Sequence, residues 1–225
     1  MAEPYLLCPP IWKRISLVAK PEDGYIVKVT SGGTPSTTNP DFWDGDMPWL
    51  TPKEITQNQN TIYASTTERT ITEAAISGSG AKLLPVNTVM LTKRAPVGAV
   101  TINTVPMATN QGFLNFICGP NLRAEFLAYW FIANRIYLDA VANGSTYPEL
   151  YITDLAEFEL AIPDIETQDK ILGTLKAVKL LSLVGIPSEQ SALSSEDVLV
   201  IQNQNANLKK LHDEMVPLLL SGQLI

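Results

Sequence analysis

The sequence predicts an α/β (α+β) chain, with a sheet-bearing domain over residues 1–164 and a helical region over residues 165–225. Three observations predict it. Runs rich in β-branched residues, bounded by Gly and Pro, recur between Tyr25 and Cys118, the pattern of strands separated by turns. Apolar residues recur every three or four positions from Leu122 to Leu138, the period of a helix with one buried face. Beyond Pro163 the spacing becomes heptad-like, which is the signature of helices that pack on helices.

Taken in order, residues 4–20 form an entry segment that places Trp12 on the core. Residues 25–29 are β-branched and bounded by Gly24 and Ser31, which predicts a strand. The stretch that follows, SGGTPSTTNPDFWDGDMPWLTP over residues 31–52, organises the chain. Gly32 and Gly33 allow backbone close approach, and Pro35 fixes the chain just after them. Phe42, Trp43 and Trp49 then alternate with Asp41, Asp44 and Asp46. The stretch reads either as a structural loop under its own aromatic lid or as a functional loop pinned by Trp43 and Trp49. Thr51 and Pro52 predict a helix start, as cap and first residue. Residues 62–64 predict a short strand, and residues 70–76 a short helix capped by Thr70 or Thr72 and stopped by the SGSG at 77–80. Residues 82–106 and 114–118 are strand-like, with a turn at 110–113 between them. Residues 122–142 predict one amphipathic helix, closed at Gly144, and residues 158–162 predict a last strand.

The remainder predicts two helices. The first covers residues 165–184 with Ile171, Leu175 and Val178 as a stripe, and the break falls near residues 185–195, at Gly185 and Pro187. The second runs to about Leu220 and carries Ile201, Leu208, Leu211, Met215 and Leu218. At 1.5 Å per residue it spans roughly 35–40 Å, so its stripe needs the first helix, another subunit, or both.

Composition limits the function. A net charge of −7 and a pI near 4.8 oppose nucleic-acid binding by bulk charge, while leaving room for local basic contacts or a partner that grips phosphate. The single histidine, His212, sits in a charged tail segment, which opposes a Ser-His-Asp or Cys-His arrangement. Phosphate-binding and dinucleotide-binding glycine patterns and metalloprotease spacings are missing. Two cysteines, no membrane-spanning apolar run and no leader-like N-terminus lead to a reducing cytoplasm as the expected location.

Several small groups are candidate contacts. Lys93 and Arg94 stand between strand-like segments, either as a solvated strand end or as donors to phosphate or a base edge. Asn110 and Gln111 place two amides in a turn, where they either bond their own backbone or pair with a base. Ser145 and Thr146 are either a helix stop or a hydroxyl-rich contact loop.

Together these pieces carry a resemblance. SGGTPST (31–37), WDGDMPWLTPKEI (43–55), an ITE helix (71–73), SGSGAKLLP (77–85), TKRAPVGAV (92–100), TNQGF (109–113), NGST (143–146), ITDL (152–155) and ELAIPDIETQDKI (159–171) occur in that order. The series resembles the specificity subunit of type I restriction–modification systems. The resemblance implies a mixed β-sheet target recognition domain followed by a long α-helical spacer and dimerisation region. It implies a non-catalytic subunit that reads one half of a split site in double-stranded DNA. Methyltransferase (modification) subunits would dock on it and supply the S-adenosylmethionine chemistry, and a restriction or translocase subunit can join.

Family members normally have two recognition domains, and the length here fits one, so a half-size form is expected. That form would pair as a homodimer through Ile171, Leu175, Val178, Ile201, Leu208, Leu211, Met215 and Leu218. Two further departures are Thr167 before Gln168, where an acidic residue is common, and the 185–195 linker, where the family's helix continues. The family's loop positions imply DNA contacts at Gly33, Thr34, Lys53, Lys82, Lys93, Arg94, Asn110, Gln111, Ser145 and Thr146. The alternative is an interaction or regulatory partner of the methyltransferase subunit that reads no DNA.

Overall fold

The computed structural model describes residues 12–57, 61–94, 96–142 and 148–183, together with Lys210 and Glu214. The chain forms two compact units, a larger one of Arg14–Leu160 and a smaller one from the remainder. The elements are β1 (Lys13–Ser16), β2 (Ile26–Ser31), β3 (Trp43–Leu50), α1 (Pro52–Gln57), β4 (Tyr63–Ala64), β5 (Arg69–Ile71), α2 (Glu73–Gly78), β6 (Thr88–Thr92), β7 (Val100–Asn103), β8 (Ala108–Thr109), β9 (Phe113–Cys118), α3 (Ala124–Ala133), α4 (Arg135–Val141), β10 (Glu159–Ile162) and α5 (Ile165–Leu183). This is the mixed α/β architecture that the sequence predicts.

The larger unit is built on a five-stranded sheet in the order β2-β9-β6-β7-β4. It is antiparallel except where β4 runs parallel to β7. The central strand β6 is buried at all five positions, because strands cover both its edges and further elements cover both its faces. Helix α3 packs on β6 and β7, with Phe131 stacked at 5.0 Å on Phe116 of β9. Leu50, Leu84, Met90, Met107 and Phe113 form a second buried cluster.

A three-stranded sheet, β5-β3-β8, stands beside it in the same unit. Its inner face is a third cluster of Trp43, Trp49, Ile71, Ala75, Ala81 and Ala108. A bulge shapes this sheet. Trp43 and Met47 both oppose Ile71, so residues 44–46 are extruded from the ladder. Asp44 takes a left-handed φ of 61°, and a Cβ on Gly45 would lie 2.6 Å from the Ile71 carbonyl oxygen. Without the bulge, Trp43 and Trp49 would be six residues apart on an extended strand, roughly 20 Å. With it, Trp43 opposes Ile71 and Trp49 opposes Arg69, so the two indoles become diagonal neighbours. Their ring centroids lie 5.1 Å apart in an edge-to-face contact.

Two predicted helices are corrected. Residues 69–71 are strand β5, because Ile71 is fully buried in the ladder with β3, and tertiary pairing outweighs local helix preference. The helix begins only at Glu73, capped by Thr72, whose hydroxyl accepts the Ala75 N–H at 3.2 Å. The single helix expected over 122–142 is two, broken at Asn134. Asn134 leaves helical geometry at ψ 11°, and its amide donates to the Trp130 carbonyl at 2.9 Å. At the start of α1, Glu54 reaches back and accepts the Thr51 N–H at 2.8 Å and the Thr51 hydroxyl at 2.6 Å, the glutamate half of a capping box, while the Thr51 hydroxyl accepts no helix N–H among the described residues.

In the smaller unit, α5 is started by Asp164, whose carboxylate accepts the Thr167 N–H at 2.8 Å. Gln168 is fully buried and donates to the Pro163 carbonyl at 3.0 Å, which gives that position a structural duty. Ile171 and Leu175, expected on a subunit interface, are 2% and 0% exposed within this one chain. Val178 falls on α5, while Ile201, Leu208, Leu211, Met215 and Leu218 lie outside the described residues. Among the described residues no helix is long and apolar enough to cross a membrane.

Replacing Gly45 by valine is expected to destabilise the larger unit by about 1–3 kcal/mol through overpacking against Ile71 and Thr72. Thermal denaturation measures it, and an unchanged midpoint would mean that the bulge tolerates a side chain.

Candidate nucleic-acid interface

The stretch after β2 is held from below by the two tryptophans. The Trp43 indole N–H donates to the Ser36 carbonyl at 3.0 Å, and the Trp49 indole N–H donates to the Gly33 carbonyl at 3.0 Å. Both rings are buried, and these two part-buried bonds tie the loop's backbone to them. Gly32 and Gly33 have no room for a side chain. A Cβ on Gly32 would overlap the Thr109 and Asn110 carbonyl oxygens, and one on Gly33 would overlap the backbone of Gly80 and Ala81. Three loops therefore meet here: residues 32–37, 79–82 and 109–112.

Residues 109–112 are the hub. The Gly33 N–H donates to the Thr109 carbonyl at 2.9 Å, and the Thr34 hydroxyl bonds the Gln111 side-chain oxygen. The Asn110 N–H donates to the Leu50 carbonyl at 3.1 Å, and the Lys93 N–H donates to the Gly112 carbonyl at 2.8 Å. Asn110 closes the turn itself, accepting the Gly112 N–H on its side-chain oxygen at 2.8 Å. Below the hub, buried Asn115 donates to the Thr109 hydroxyl at 2.9 Å. The structure thus brings Gly33, Thr34, Asn110 and Gln111 together and joins the backbone of Lys93 to them. Lys82 adjoins them through Thr30, whose hydroxyl accepts its ammonium at 2.8 Å. Ser145 and Thr146 lie outside the described residues.

The charges are less free than the sequence suggests. Lys93 meets Glu149 at 2.8 Å and Arg94 meets the same carboxylate at 3.3 Å. The Lys93 and Glu149 side chains are only 14% and 19% exposed, so this pair is partly shielded from solvent. The Glu149 carboxyl is held below its ordinary range, first by the hydrogen bond from Lys93 and then by the charges of Lys93 and Arg94, against the opposing effect of burial. Lys53 faces Glu68 at 3.8 Å in an open, solvated pair. One cation that the sequence reading passed over stands at this surface. Arg69 of β5 lies flat over Trp43, its guanidinium carbon 3.4 Å from the ring centroid and 5.7 Å from that of Trp49. Nothing in the local sequence points to it, because the bulge at residues 44–46 is what sets Trp43 under it.

Comparison with known proteins bears on what this surface serves. The profile of the type I restriction modification DNA specificity domain matches residues 24–184. The chain belongs to that family. The specificity-domain match takes in all three converging loops and α5. A specificity subunit of the type I restriction enzyme MjaIX from Methanocaldococcus jannaschii is 42% identical over 152 residues, covering 67% of this chain and 35% of that protein. The EcoR124I/EcoR124II specificity subunit of Escherichia coli is 28% identical over 177 residues, covering 74% of this chain and 43% of that one. The chain therefore spans well under half the length of these relatives. A solved HsdS subunit from Thermoanaerobacter tengcongensis superposes with a TM-score of 0.57 at 16% identity, over 95% of this chain and 44% of that chain. A type I restriction–modification complex matches similarly, with a TM-score of 0.58, 16% identity and coverage of 95% and 47%. These two share the fold of this specificity domain.

Two outcomes are expected. Trp49→Phe keeps an aromatic ring but removes the donor to Gly33 and leaves a small cavity in the core, costing about 2–3 kcal/mol in chemical denaturation. Glu149→Gln tests the ion-pair cluster by pH. Because the folded Glu149 pKa is lowered, its stabilisation is complete above the ordinary carboxylate range and disappears as pH falls through the lowered value. The melting-temperature gap between wild type and Glu149→Gln should therefore be widest near neutrality and shrink below about pH 4. A gap independent of pH would mean that the carboxylate charge contributes nothing there.

Proposed function

We propose that this chain reads base sequence in double-stranded DNA as the recognition component of a type I restriction–modification complex, and that it has no catalytic role of its own. The observation that carries the reading is the convergence of the 32–37 and 109–112 loops, which sets two glycine backbones, Thr34, Asn110 and Gln111 on one rigid surface. Small residues let a backbone approach a duplex, and amide side chains match base edges. Family membership supports the same reading. Partner methyltransferase subunits would bind S-adenosylmethionine and modify the DNA, and a restriction subunit would act where one is present. The acidic balance and the Glu149 cluster support a division of labour in which those partners hold most of the phosphate backbone.

Co-expression with the cognate methyltransferase subunit, followed by mapping of methylated positions in cellular DNA, tests this directly. Methylation confined to one sequence is expected, and methylation without sequence preference overturns the reading. Gln111→Ala should lower affinity for the methylated sequence by about 1–3 kcal/mol and relax the requirement at one base position.

Pairing of two recognition domains through the C-terminal region would place two such surfaces at a fixed separation and produce a symmetric split site. Light scattering on the assembled complex distinguishes two copies of this chain from one.

A further inference from the structure

Beyond the loops already described, we infer that Arg69 is a DNA-contacting residue, its guanidinium laid on Trp43 so that its N–H edge faces the duplex beside the 32–37 loop; this rests on the DNA-reading function proposed above. Four observations converge on it. Arg69 is exposed, yet its guanidinium is not loose, since it lies 3.4 Å over the ring centroid of a buried tryptophan. Stacking uses the face of the guanidinium and leaves its five in-plane N–H donors pointing outward. Among the described residues none of those donors has a protein acceptor, and no carboxylate pairs with the charge. The neighbouring carboxylate, Glu68, faces Lys53 instead.

The ring under Arg69 is also the ring that holds the recognition loop. Trp43 donates to Ser36, and Trp49, 5.7 Å from the guanidinium, donates to Gly33. The cation and the glycine backbone therefore share one support. The other cations of this surface are already engaged: Lys93 and Arg94 with Glu149, Lys53 with Glu68, and Lys82 with Thr30. An arginine fork matches two acceptors at once, which are the phosphate oxygens or the paired acceptors of a guanine edge. Stacking removes much of the rotamer freedom that a free arginine would lose on binding.

The test uses the complete complex of this chain with its methyltransferase partner and a duplex bearing the sequence found by methylation mapping. Arg69→Met retains an unbranched side chain over Trp43 and removes the charge and the fork. It should weaken binding to that duplex at least tenfold. Arg69→Lys separates the two acceptors. If the contact is to phosphate, lysine restores binding and the methionine variant lowers the salt slope by about one. If it is to a base edge, lysine fails to restore it and discrimination at one position is lost. Arg69→Met binding as tightly as wild type overturns the inference.

A second measurement needs no variant. Arginine-directed dicarbonyl modification of the wild-type complex, read by mass spectrometry, should label Arg69 without DNA and spare it with DNA. Equal labelling in both, or no labelling before DNA is added, overturns it. A wild-type complex with no sequence preference would instead defeat the functional reading itself, so the two failures are distinguishable.

Discussion

Two indole N–H groups hold the carbonyls of Gly33 and Ser36, and the candidate interface depends on that pair of bonds. They exist because three residues are extruded from β3. The extrusion draws Trp43 back along the ladder until it meets Trp49 edge to face. Donors on buried rings are poorly placed to bond water instead, which favours the loop position seen here. The glycines fit the same constraint from the other side. With Thr109 against Gly32 and Gly80 against Gly33, the loop is clamped between its neighbours, and any side chain would force the clamp open.

A clamped loop suits sequence reading for an energetic reason. Contacts to base edges discriminate only if the donors and acceptors are already placed, since ordering them on binding would consume the small difference between right and wrong sequence. The hub at residues 109–112 extends the same logic. Three segments, at Gly33, Leu50 and Lys93, bond to its backbone, and Asn110 spends its side-chain oxygen on closing the turn. Asn110 thus closes the turn with its side-chain oxygen, while Gln111 and Thr34, bonded to one another, stand exposed on the surface.

Electrostatics points to shared work. Glu149 ties up Lys93 and Arg94, and Glu68 opposes Lys53, so three of the cations proposed for DNA contact are offset in place. An acidic chain with matched cations does not hold DNA through bulk attraction. It suits a protein that is brought to the duplex within a larger assembly and contributes selectivity more than grip.

Much of this was legible in order and composition. Strand and turn placement followed from β-branched runs and Gly/Pro punctuation, because these are local preferences that the core reinforces. The ordered series from SGGTPST to ELAIPDIETQDKI was enough to indicate the family, and the pinning role of Trp43 and Trp49 could be expected from aromatic residues spaced beside a glycine loop. Local preference misled where pairing was stronger or geometry broke. Residues 70–71 read as a helix start until β3 claimed Ile71, and the helix over 122–142 parted at Asn134. Charge partners were beyond the sequence altogether. Glu149 lies 55 residues from Arg94 in the chain, and Arg69 reaches Trp43 only across a bulged ladder. By itself the sequence determined most strands of the five-stranded sheet, which glycines allow close approach and which family the chain resembles, but it read residues 43–50 as loop where strand β3 runs, because that strand is held by pairing with β5 and β8. The tertiary structure alone decided that Lys93 and Arg94 meet Glu149 and that Arg69 lies over Trp43, because that depends on distances between residues far apart in the chain.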